Sequence, residues 1–274
     1  MKALTKPNLL LLATLLHAPL DAQEKQSADS LTVWTGMLPI ILAAPHGGRQ
    51  AIAGLEARRG VGVPQFTTER DSNTAELAEL VAGKIGERMA AKPFLVVARF
   101  ERKYIDANRA DAAAYESAGA KPHYDAYHQA IEAACDRIRQ KWNGGLLLDI
   151  HGQGAEPDTI FRGTDNGKSV TALEQRFGRS AVTGPKSILG QLALKGYRID
   201  PGGEANDRER RYVGGYTTRT YGSHRGSRID AIQLEFGINL RARNCLERTA
   251  NDLAEAIVNF ARDYLAGAGT PAHP

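Results

Sequence analysis

Apolar and polar positions change period along the chain, and these changes divide it into strands and helices. "IILAAP" (40–45) is a continuous apolar run of strand length, and "LTVWTG" (31–36) precedes it as a second candidate strand. From Ser72, "SNTAELAELVAGKIGERMAA" places Leu77, Leu80, Val81, Ile85 and Met89 on one face, which predicts an amphipathic helix. "PFLVVARF" (93–100) predicts another strand. "HYDAYHQAIEAACDRIRQKW" (123–142) then predicts a helix with Tyr124, Tyr127, Ile131, Ala134, Cys135, Ile138 and Trp142 inward. "GLLLDIHG" (145–152) and "DAIQLEFG" (230–237) read as further strands, with shorter helical patterns around 170–177 and 184–194. "CLERTANDLAEAIVNFARDYLAG" (245–267) predicts a closing helix with Leu246, Leu253, Ile257, Phe260 and Tyr264 inward. Between them, 200–229 is glycine-rich and has no apolar period, so it reads as a long loop of the kind that carries function.

Apolar strands alternating with amphipathic helices predict a single-domain α/β fold. Its central sheet should be mixed and largely parallel, with helices on both faces. Ahead of it, "MKALTKPN", "LLLLATLL" and "HAPLDAQEKQSADS" follow the charged, apolar and small-polar order of a secretory signal. We expect a signal peptide over 1–22, export to the periplasm or medium, and a catalytic domain over 30–267. The apolar stretch is too short to span a bilayer stably, and no other segment is apolar enough, so no stable membrane insertion is expected after cleavage.

Charge narrows the partners. The 35 Lys+Arg face 31 Asp+Glu, and the cations are dispersed apart from "RERR" (208–211). Nucleic-acid binders concentrate charge on one face, so no nucleic-acid partner is expected; "RERR" reads as a solvated loop or a site for an acidic small molecule. Cys135 and Cys245 have neither the number for a disulfide scaffold nor the spacing for a cysteine zinc site.

In open α/β sheets, ligands bind at the carboxyl ends of the strands. His46 follows the first main strand, in "PHGG", where Gly47 and Gly48 would allow another group to come close. Asp106, Asn108 and Arg109 follow the second, Asp149 and His151 end the third, and Glu235 ends the last. Singly, these are ordinary turn, cap and ion-pair residues. Together they suit a zinc hydrolase, which needs about three protein ligands and an open position for water. His46 and His151 supply two ligands. The third comes from "TTERDSNT" (67–74), where Asp71 is preferred to Glu69, although Asp71 is also a candidate helix cap. Glu235 is then the free carboxylate to accept a proton, and Arg109 with Asn108 suits a substrate carboxylate. GxSxG, GxxxxGK[ST], HExxH and a strand-end GxGxxG are all absent.

"PHGGR", "RDSNTAEL", "IDANR", "LLLDIHG" and "YVGGYTTRTYGSHRGSRIDAIQLEFG" (212–237) together resemble the N-formylglutamate amidohydrolase family, whose fold is similar to that of zinc carboxypeptidases. The resemblance runs from about 40 to 240. It implies Zn²⁺ held by His46, Asp71 and His151, Glu235 as the catalytic carboxylate, Asn108 and Arg109 facing substrate, and Arg219 as a second anion contact. The implied activity is hydrolysis of an amide in a carboxylate-bearing N-acyl amino acid such as N-formylglutamate. The alternatives are an exported carboxypeptidase or amidase acting on peptides or peptidoglycan fragments, and a non-catalytic anion-binding protein.

Overall fold

Seven strands, β1 (Leu31–Trp34), β2 (Ile40–Ala44), β3 (Phe94–Ala98), β4 (Gly145–Gln153), β5 (Thr159–Gly163), β6 (Arg198–Asp200) and β7 (Ile229–Gly237), form one sheet. In the computed structural model, which describes residues 29–202 and 208–265, their order is β1-β3-β2-β4-β7-β5-β6. β3, β2, β4 and β7 run parallel to their neighbours in that series, while β1 and β5 join it antiparallel. The sheet is therefore mixed and largely parallel, as expected. The expected signal peptide lies outside the described residues. Among those described, no helix is long and apolar enough to cross a membrane.

The helices are α1 (Thr74–Met89), α2 (Asp111–Ala114), α3 (Lys121–Lys141), α4 (Thr171–Phe177), α5 (Ser180–Thr183), α6 (Ile188–Leu194), α7 (Tyr216–Tyr221) and α8 (Arg243–Phe260). They cover both faces of the sheet. α1 and α8 pack Leu77, Val81, Ile85, Leu253 and Ile257 against Leu146, Leu148, Ile150 and Leu234. On the other face, α3 packs Tyr127, Ile131, Cys135 and Ile138 against Ile41, Leu147, Ile229 and Ala231. Each such fully buried aliphatic side chain contributes about 1.5–3 kcal/mol relative to exposure. Central strands covered on both faces read as continuous apolar runs, which is why periodicity located them.

The structure departs from the expected elements where strands are short or glycines intervene. β5 and β6 extend the sheet beyond β7; β5 (TIFRG) is not a continuous apolar run, and β6 has three residues, too few for a period to register. The 184–194 pattern is helical only over 188–194, as α6; Pro185 separates it from α5, and Ser187 caps it by accepting from the Gly190 N–H at 2.9 Å. α7 lies inside the stretch expected to be a loop. Cys135 and Cys245 are both free thiols.

Candidate metal centre and active-site cleft

Because β2, β3, β4 and β7 are parallel, their carboxyl ends open on one side. His46 lies two residues past β2, His151 and Glu235 are directly paired near the ends of β4 and β7, and the 101–109 loop after β3 brings in Asp106 and Asn108. On β4 and β7, one face is apolar apart from Asp230 at the start of β7. The other passes from Leu147 to Asp149 and His151, and from Ala231 to Gln233 and Glu235. That change of character marks where the core ends and the chemistry begins.

Gly47 and Gly48 do admit close neighbours, but the neighbours are the chain itself. A Cβ at Gly47 would lie 2.4 Å from the Ala75 nitrogen, and one at Gly48 would lie 2.2 Å from the Phe100 carbonyl oxygen. Contact at Gly47 lets the start of α1 reach the end of β2, where the Asp71 N–H donates to the His46 carbonyl at 3.1 Å. Asp71 is thus delivered to the histidines and its side chain makes no cap. The N-cap position of α1 is Asn73, in the left-handed region and without a side-chain cap bond.

His46, Asp71 and His151 are all buried, and their potential ligand atoms lie within 4.8 Å of one another. The Nδ1 atoms of His46 and His151 are 3.5 and 3.3 Å from Asp71 Oδ2. Each Nε2 faces a carboxylate behind it, Asp106 at 2.7 Å for His46 and Asp149 at 2.9 Å for His151. A ring whose Nε2–H donates to a carboxylate presents an Nδ1 lone pair, so two lone pairs and an anion converge on one point. His46 Nδ1 is buried without a hydrogen-bond partner. Buried acceptors meeting around an anion are unfavourable unless a cation joins them. The donor set and its carboxylate backing suit Zn²⁺.

Further groups hold the anions in place. Arg102 donates from Nε and Nη2 to Asp106 Oδ2 at 3.1 and 3.0 Å, and from Nη1 to Asp71 Oδ1 at 3.3 Å. The Gly152 N–H donates to Asp71 Oδ2 at 3.0 Å. Burial alone would raise Asp71, but hydrogen bonds and charge from His151 and His46 hold it well below the usual carboxylate range. Burial opposes Asp106 in the same way, and the charge of His46, with Arg102 and Arg58, likewise holds it low. For His151, burial disfavours the charged ring but the Asp149 carboxylate raises it well above the ordinary value. The carboxylates around His151 therefore favour positive charge there.

Glu235 is 6% exposed, and burial raises its carboxyl above the ordinary value despite the opposing charge of His151. Its Oε1 accepts from Gln233 Nε2 at 2.8 Å, Gln233 Oε1 accepts from Asn108 Nδ2 at 3.2 Å, and Asn108 Oδ1 accepts from the Thr217 N–H at 2.8 Å. Asn108 is thus tied to the centre through this chain. Gly215 is required beside it, since a Cβ there would lie 2.1 Å from Asn108 Nδ2.

The centre opens into a cleft of about 910 Å³ lined by seven arginines and four carboxylates among the described residues. Arg109 lines it, but not as the open fork expected from sequence. Its Nε donates to Asp106 Oδ2 at 3.1 Å, and its two terminal nitrogens to the carbonyls of Pro64 and Gln65 at 3.0 and 2.6 Å. Arg219 also lines the cleft, half-exposed, with its Nε 3.9 Å from Asp165 Oδ1. Glu69, the alternative third ligand, is exposed on the cleft wall and outside the ligand cluster. Arg70 was not singled out in the sequence, yet it lines the cleft with a shielded Nη1 that has no partner. Asp106, Asp149 and Arg102 were not assigned roles there either. The Asp-x-His spacing at 149–151 was the available signal, because residues two apart on a strand share a face.

A family model described as N-formylglutamate amidohydrolase matches residues 118–240. No curated protein sequence matches the chain. Among solved structures, an N-formylglutamate amidohydrolase from Ralstonia eutropha is similar with a TM-score of 0.58 at 17% identity, over 87% of this chain and 99% of that one. A gene product of Agrobacterium tumefaciens is similar with a TM-score of 0.55 at 15% identity, over 88% and 96%. At these identities the likeness is one of fold.

Proposed function

We propose, for a chain related to the N-formylglutamate amidohydrolases over residues 118–240, zinc-dependent hydrolysis of the amide bond in a carboxylate-bearing N-acyl amino acid. The observation that carries this reading is the convergence of His46 Nδ1, His151 Nδ1 and Asp71 Oδ2, with Glu235 paired to His151 across the adjoining strands. Bound zinc would supply Lewis acidity and a water acidified toward neutrality. Glu235 accepts the proton of the attacking water and returns it to the leaving nitrogen. A carboxyl raised toward the working pH suits both transfers, and Gln233 keeps its Oε1 in place. Asp106 and Asn108 keep His46 and Gln233 oriented.

Arg70 and Arg219 receive the substrate carboxylate. Arg70 is favoured by its unpartnered shielded nitrogen and Arg219 by its exposure at the cleft. Arg109, bonded to Asp106, serves as a brace. Under the same reading the enzyme acts outside the cytoplasm, and N-terminal sequencing of protein recovered from its native host should begin near residue 23.

The test compares purified protein with its Glu235→Gln variant. Both should retain zinc by elemental analysis, while turnover of N-formylglutamate or a related N-acyl amino acid falls roughly 10²–10⁴-fold in the variant. Near-normal turnover in the variant would place the base elsewhere, and a protein that takes up no zinc would defeat the metal assignment.

A further inference from the structure

The "RERR" segment is unused by the chemistry above, yet the fold builds it with care. Glu209 is turned inward, with a fully buried side chain. It accepts from Arg162 Nε at 3.0 Å, from the Thr164 and Asn166 N–H groups at 2.8 and 2.9 Å, and from the Thr164 hydroxyl. Its own N–H donates to Asn166 Oδ1 at 3.0 Å, and the Asp165 N–H donates to the Val213 carbonyl at 2.6 Å. A buried carboxylate is tolerable only when so fully paired. These bonds fasten the segment to the end of β5.

With Glu209 inward, the flanking Arg208 and Arg210 and the following Arg211 are exposed. Arg211 lies 3.9 Å from Glu156, and Arg208 and Arg210 form no ion pair with a described residue. The three arginines, with Arg198 from β6, line a second cavity of about 450 Å³, in which four arginines outnumber the two carboxylates, Glu156 and Asp200. Arg210 and Arg211 also line the main cleft, so the two cavities meet across this strip. Small-molecule pockets span roughly 300–1,000 Å³. At about 910 Å³ the cleft alone is near the top of that range, and a single N-acyl amino acid would fill only part of it.

We propose that the substrate is a peptide chain carrying several carboxylates, and that Arg208, Arg210 and Arg211 hold its distal carboxylates in the second cavity while one amide lies at the metal centre. This rests on the amide-hydrolysis reading above for the chemistry at the centre, but not for the binding. A rigid backbone with outward arginines presents planar forks in a fixed order, which matches carboxylates spaced along a chain.

The test measures binding of fluorescein-labelled hexaglutamate to the full chain by fluorescence anisotropy, in the wild type and in Arg208→Ser. Arg208 is exposed, lines the second cavity and not the main cleft, and forms no ion pair with a described residue, so the fold and the catalytic cleft should be unaffected. The variant should bind hexaglutamate roughly tenfold more weakly, as expected for losing charge-assisted contacts, while its turnover of a single N-acyl amino acid stays unchanged. Unaltered hexaglutamate affinity would overturn the proposal, as would an equal loss for inorganic polyphosphate, which would make the strip an unselective anion surface. The two readings fail separately. A protein that binds hexaglutamate through the strip but cleaves no amide keeps this proposal and loses the hydrolase; one that cleaves N-acyl amino acids and ignores the strip does the reverse.

Discussion

Individual residues divide into those that touch the reacting centre and those that hold them. Asp106 and Asp149 lie behind the two histidines, at 2.7 and 2.9 Å from Nε2. Carboxylates in that position set ring orientation and ligand basicity. Asp149→Asn should therefore leave a folded protein whose zinc affinity is lower by roughly 10–100-fold in chelator competition, whereas His151→Ala should abolish stoichiometric zinc. An unchanged affinity in Asp149→Asn would show that the carboxylate does not act through the ring. The arginines can be separated by substrate. Arg70→Met should raise KM for a carboxylate substrate by roughly tenfold or more, the scale of one charge-assisted bond, and have little effect on the same substrate with its carboxylate amidated. Arg109→Lys keeps the charge but cannot reproduce bonds to Asp106, Pro64 and Gln65 together. It should impair both substrates equally; a loss confined to the carboxylate form would restore Arg109 as the substrate contact.

Among the elements, the approach of α1 to the end of β2 decides whether a centre exists. Asp71 comes from the turn into α1 and His46 from the turn out of β2, and Gly47 is the point at which the two pass. Gly47→Ala would drive a methyl carbon into the Ala75 backbone. The expected cost is about 1–3 kcal/mol of stability, the usual scale of overpacking, together with lost zinc as Asp71 moves away from the histidines. Denaturant midpoints and metal content measure the two effects. A variant with reduced stability and full zinc would show that Asp71 is not positioned by this contact. Gly152 plays the matching part on β4, since a Cβ there would lie 2.4 Å from the Arg241 guanidinium. Arg241 passes close to that bare backbone and ties the carbonyls of Ser72, Gln153 and Phe236 together.

For the whole molecule, stability and pH are linked through buried groups outside the metal centre. Asp230 on β7 is pushed up to about 6 by burial, which outweighs its bonds from Ser223 and the Leu173 N–H. Between the ordinary carboxylate value and about 6 the folded state binds more protons than the unfolded state, so this group's contribution falls as pH rises. A shift of that size corresponds to about 2–3 kcal/mol. The stability of the wild type relative to Asp230→Asn should accordingly decline from pH 4 to pH 7 and level off above. A difference that is flat or rises with pH would rule out the raised carboxyl. His128 acts in the opposite sense. Burial pushes it down to about 4, so the unfolded state takes up protons first and its contribution is lost as pH falls from the ordinary imidazole range.

Much of this was legible in the sequence because it is local. Central strands covered on both faces must be continuous apolar runs, and long packing helices must carry a 3.6-residue period; β2, β3, β4, β7, α1, α3 and α8 were readable for that reason. The strand-end rule then gathered His46, His151 and Glu235, which sequence separates widely. What remained hidden depended on approach between distant segments. The bonds from Arg109 to the 64–65 carbonyls, the Asp106 carboxylate behind His46, and the inward turn of Glu209 within "RERR" have no period or spacing of their own. Each polar side chain has several equally good partners in an extended chain, and only the packed backbone selects one. The sequence determined which strand ends carry the chemistry, and the tertiary structure decided which arginines remain free to meet a substrate, because a guanidinium with all three nitrogens already bonded to carbonyls and a carboxylate is held in place and cannot present an open fork.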